Sequence, residues 1–80
     1  MEIDLSAARA TVQELADALA ELDGEAIDET PTRAGQRQRT RVSRALQRLA
    51  HLGDKASVQI MDTFWDFREH DVSRRDRDSE

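Results

Sequence analysis

Five arginines, Arg33, Arg37, Arg41, Arg44 and Arg48, follow one another at spacings of 4, 4, 3 and 4. On a helix that spacing gathers them into an arc of about 80° over roughly 22 Å. Each guanidinium is a planar, permanently charged fork suited to a carboxylate or a phosphate. The only acid four residues from any of them is Glu29, opposite Arg33, so the row wants an anionic partner from elsewhere. Three kinds are open: acids of this chain or of a second copy, the phosphates of a nucleic acid, or an acidic surface on a different protein.

For nucleic acid the sequence is a poor match. No aromatic residue stands among the arginines to stack on bases, and the whole chain is acidic, at −5. A helix-turn-helix around Gly53 also fails. Its reading helix would present Asp62, Asp66 and Glu69 to the phosphates. Any nucleic-acid contact has to use the arginine helix.

No other constellation reaches the specificity of a site. Asp62, Asp66 and His70 share a helix face at spacings of 4, with His51 elsewhere. One helix supplies too few ligands for a closed metal site, and neither Cys nor an HExxH pattern is present. Nucleophile triads, phosphate-cradling glycine loops and paired catalytic carboxylates are also missing. We expect no catalytic residue, no cofactor, no metal and no small-molecule substrate.

Length points the same way. A chain of 80 residues buries roughly 60% of the surface that it exposes when unfolded, which leaves little room for a deep, water-excluding active site. Without cysteine there is no disulfide or thiolate zinc site to compensate. Packed helices, a second copy or a partner must do so instead. No apolar run approaches the ~20 residues that span a bilayer, and Met1-Glu2-Ile3-Asp4 lacks the positive start of a secretory signal. The expectation is a cytoplasmic chain without a membrane segment.

Charge is segregated along the chain. Residues 1–29 carry −8, residues 30–53 carry +6 and residues 54–80 carry −3. These blocks coincide with three predicted elements. Leu5, Ala8, Val12, Leu15, Leu19 and Leu22 alternate spacings of 3 and 4, the narrow seam of a helix over about 6–23. Asp4 or Ser6 can cap it, and Gly24 can end it in the left-handed conformation. Glu14, Asp17 and Glu21 fall opposite that seam, so a plain hairpin would not bring them to the arginine row.

Thr30-Pro31 predicts the start of a second helix, about 31–52. Val42, Ala45, Leu46, Leu49 and Leu52 form its stripe. Residues 31–40 contain no large apolar group and are expected to fray unless something binds them. Gly53-Asp54 reads as a stop followed by a cap, and a third helix runs over about 54–71. This helix is apolar over half its circumference. Ile60, Phe64 and Phe67 form one row, and Val58, Met61, Trp65 and Val72 a second.

All three aromatics therefore sit on one helix, and two apolar rows are more than its own hairpin covers. Residues 73–80, rich in Arg, Asp and Ser, read as a charged disordered tail after a single helical domain, 1–72. The fold expected is all-α, a small bundle of two to three helices completed by oligomerisation. Its interface would be Leu5, Val12, Leu15, Leu19, Leu22, Val58, Met61 and Trp65. The function expected is a non-enzymatic interaction or assembly module that self-associates through its apolar rows. Arg33, Arg37, Arg41, Arg44 and Arg48 would engage an acidic protein surface. The alternative is a nucleic-acid-binding accessory protein that uses the same helix on phosphates.

Overall fold

A computed structural model describes residues 2–78, with side chains described as far as Asp71. It is all-helical: α1 spans Ser6–Leu22, α2 spans Arg33–Asp78, and the two pack against each other as a hairpin. The all-α expectation holds, with two helices rather than three.

Local chemistry fixes the ends. At the start of α1, Asp4 accepts hydrogen bonds from the Ser6 amide at 3.0 Å and the Ser6 hydroxyl at 2.6 Å. These bonds hold the Asp4 carboxyl below the usual aspartate range, the hydroxyl contributing most. At the other end the Asp23 amide donates to the Leu19 carbonyl, and Gly24 takes a φ of +80°. A glycine is at home there because it has no Cβ to clash. α2 begins two residues after Pro31. Thr32 is its cap, its hydroxyl accepting from the Gly35 amide at 3.0 Å and its carbonyl from the Gln36 amide.

The predicted break at Gly53-Asp54 does not occur. The helix continues through both residues to Asp78, so the expected elements 31–52 and 54–71 are one. The seam shows why. Gly35, Gln38, Val42, Ala45, Leu49, Leu52, Ala56, Gln59 and Thr63 are all buried or half-buried, at alternating spacings of 3 and 4 with no stutter. Gly53, half-buried itself, sits beside this seam and outside its 3-and-4 period. Interrupting the helix would forfeit the packing on both sides of the glycine, whereas keeping it costs about 1 kcal/mol of helix propensity. Of the expected tail, 73–80, residues 79 and 80 lie outside the described residues, and for 73–78 only the helical backbone is described.

The α1 side of the seam is also different from expectation. Ala8 and Thr11 are buried and Leu15, Ala18 and Leu22 half-buried, while Leu5, Val12 and Leu19 face solvent. The helix is turned by roughly 50° from the leucine-rich seam. Small side chains at 8, 11 and 18 let the helices come close, and the Thr11 hydroxyl is satisfied by the Ala7 carbonyl at 3.1 Å.

What results is thin. Buried apolar residues among those described are Ala8, Val42, Leu52 and Ala56, none of them large and fully enclosed. The radius of gyration is 20.3 Å and the long dimension 73 Å, where a compact chain of this length has a radius of about 12 Å. α1, about 25 Å long, lies beside only the first half of α2. From Phe64 to His70 every side chain of α2 is exposed.

Candidate functional site: two faces of the hairpin

Two ion pairs fix how the helices face each other. Arg48 donates to Glu14 at 3.2 Å, and Arg41 donates to Glu25. Glu14 was expected to point away from the arginine row, and the turn of α1 brings it round. The Arg48–Glu14 pair marks one edge of the seam, and on the other Leu19 and Leu46 flank an open, mostly apolar groove of about 410 Å³ that also takes in Ile27, Leu22, Val42 and Leu49 and, at its linker end, Asp23 and Glu25. The hairpin is thus ionic along one edge and apolar along the other.

The apolar edge is long. On α1 it carries Leu5, Val12 and Leu19, and on α2 Leu46, Gly53, Ile60 and Phe67, each row stepping by 7. Leu19 is 50% and Leu46 54% exposed. Farther along α2 the groups named for an oligomer interface, Val58, Met61 and Trp65, are exposed as well, with Phe64 against Trp65 edge-to-face at 5.2 Å between ring centroids. Of the residues predicted for that interface, Leu15 and Leu22 are half-buried in the hairpin's own seam instead. Val72 lies among the residues whose side chains are not described.

The arginine row is divided by the fold. Arg41 and Arg48 are neutralised, whereas Arg33, Arg37 and Arg44 make no ion pair among the described residues and are exposed. Arg33, Arg37, Arg41 and Arg44 line a shallow surface groove with Gln36 and Thr40. Exposed pairs such as 14–48 are worth up to about 1 kcal/mol each, so they orient the hairpin more than they stabilise it.

The sequence reading missed two residues that hold the linker. Gln38 accepts from the Asp28 amide at 3.0 Å and donates to the Ala26 carbonyl at 2.9 Å. Arg39 donates to the Thr30 carbonyl at 2.9 Å and to the Asp28 carbonyl. These bonds seat the linker on the first turns of α2, the stretch expected to fray for want of apolar groups. Asp28 caps the last linker turn, accepting from the Thr30 hydroxyl at 2.6 Å and amide at 3.0 Å. Those two bonds hold its carboxyl below the usual range against an opposing effect of burial, with the Arg39 charge as the smallest contribution. The signal in the sequence was Gln38, four residues before Val42 on a period that a polar seam could continue, and Arg39, the arginine off the row.

Among the described residues no group of three His, Asp or Glu side chains is placed to hold a metal ion, and no helix is long and apolar enough to cross a membrane. No protein-family model, curated protein or solved structure matches this chain.

Proposed function

We propose that this chain is a non-enzymatic helical assembly module. It self-associates through the apolar edge of the hairpin and the aromatic arm of α2, and engages an acidic protein surface through Arg33, Arg37 and Arg44. One observation carries the reading: among the described residues the hairpin buries four small or medium apolar residues while Val12, Leu19, Leu46, Ile60, Phe64 and Trp65 remain exposed. Apolar area left in water on that scale marks a surface meant to be covered. The partner surface is supported by Arg33, Arg37 and Arg44, which make no ion pair among the described residues. We take the setting to be cytoplasmic, as the charged, cysteine-free composition suggests.

The acidic-partner half is tested with a fluorescent poly-glutamate peptide and a fluorescent single strand, each titrated with the unmodified chain and with Arg33→Glu, Arg37→Glu and Arg44→Glu combined. The expected result is salt-sensitive peptide binding that the triple variant loses. Binding of the strand alone at low salt, released with a slope of several ions and lost in the same variant, overturns the reading in favour of nucleic acid.

A further inference from the structure

Two of the three glycines are accounted for within one chain, and the third is not. Gly24 has its positive φ. Gly35 sits under the linker, where a Cβ would meet the Thr30 carbonyl oxygen at 2.6 Å. Gly53 has neither reason: it is an ordinary helical residue in the middle of α2, and a Cβ there would meet nothing within 4 Å. A mid-helix glycine costs about 1 kcal/mol relative to alanine, with no return inside this chain. It lies in the apolar edge, midway between Leu46 and Ile60, each 7 residues away. Beside it on α1, the same edge has Val12 midway between Leu5 and Leu19, again 7 residues each way.

From this pattern we propose that two copies of the chain pair through their apolar edges about a two-fold axis passing beside Val12 and Gly53. The proposal rests on the self-association reading and gives it a geometry. About that axis α1 packs antiparallel on the partner's α1, and α2 on the partner's α2. Leu5 then faces the partner's Leu19, Leu46 faces the partner's Ile60, and the absent side chain of Gly53 lets the two long helices approach where they cross. A two-fold contact must be self-complementary. Leu5 and Leu19 about Val12, and Leu46 and Ile60 about Gly53, satisfy that requirement.

The area is sufficient. The chain exposes 6847 Å², where a compact monomer of 9.1 kDa exposes about 4,900 Å². The apolar rows, some 32 Å along α2 from Leu46 to Phe67 and 21 Å along α1 from Leu5 to Leu19, each ~10 Å wide, bury roughly 530 Å² per copy, about 1,060 Å² in all, just past the ~1,000 Å² that a specific interface has to clear.

Because the chain has no cysteine, the geometry is open to a clean cross-linking test. Leu46→Cys and Ile60→Cys chains are mixed, oxidised and compared with each variant alone, with sedimentation of the unmodified chain as reference. The expected result is a disulfide-linked dimer in the mixture and little in either variant alone, since 46 and its own copy stand about 21 Å apart along the axis. Self-linking of Leu46→Cys as strong as in the mixture overturns the proposed axis while leaving self-association standing. A monomeric unmodified chain at tens of micromolar overturns both. Gly53→Leu supplies the second arm: helix content in dilute solution should rise or hold while self-association weakens at least about tenfold. Unchanged association in that variant also overturns the axis.

Discussion

Gly35 and Thr30 are packed so closely that the space for a Cβ on the glycine is taken by the threonine's carbonyl oxygen, 2.6 Å away. The same carbonyl accepts from Arg39 at 2.9 Å. Linker and helix are locked at this point, and Gly35→Ala tests it. The gain in helix propensity, about 1 kcal/mol, is outweighed because a backbone atom has to move. We expect a net loss of about 1–3 kcal/mol in urea unfolding. A variant as stable as the parent would show that the linker is not seated there.

Arg39 is half-buried and spends its guanidinium on two backbone carbonyls. Arg39→Ala should free the linker without melting α2. Amide exchange of Asp28 and Thr30 should accelerate, with a stability loss of about 1–2 kcal/mol, while exchange around Leu52 tracks global unfolding alone. Equal acceleration at both places would contradict a local latch.

Asp4 and Asp28 both have their carboxyls held below the ordinary value of 3.8 by hydrogen bonds from Ser6 and Thr30. A depressed folded pKa means that the stabilisation is complete above the unfolded value and disappears as pH falls through the folded one. The two caps should therefore stay intact down to about pH 4 and fail below it. Carboxyl-carbon NMR titration should place both midpoints beneath those of the other aspartates. Asp28→Asn should flatten the acid limb of the stability profile; an unaltered acid limb would rule the cap out as its source.

Gln59 stands on the seam and its side-chain oxygen is buried with no hydrogen-bond partner. An unsatisfied acceptor costs about 1–3 kcal/mol. Gln59→Leu should raise the melting temperature of the hairpin by the equivalent of about 1 kcal/mol. A lower melting temperature would mean that the amide is satisfied in solution.

Trp65 is 56% exposed and touches Phe64 on its own helix. Trp65→Ala should leave dilute-solution hairpin stability within about 0.5 kcal/mol, the range of ordinary surface changes. Light scattering at tens of micromolar should show reduced mass. Destabilisation of the dilute monomer would place the indole in a core of its own chain.

The amino-acid sequence by itself determined helix content, the ends of α1, the Gly24 stop and the concentration of apolar and aromatic groups on α2. All of these depend on local spacing, capping and backbone freedom, which a linear pattern records. Where the helices face each other was decided by tertiary packing. Leu5, Val12 and Leu19 made the larger apolar row, yet the hairpin closed on Ala8, Thr11 and Ala18, since small groups permit closer approach and leave the leucines outside. The same turn of α1 carried Glu14 to Arg48, which separates the ion-paired Arg41 and Arg48 from Arg33, Arg37 and Arg44, without an ion pair among the described residues. Gly53-Asp54 has the letters of a helix stop, but a stop is realised only where the chain gains by turning. Here the seam on both sides of the glycine packs as one, so α2 stays whole and projects its aromatic half beyond α1.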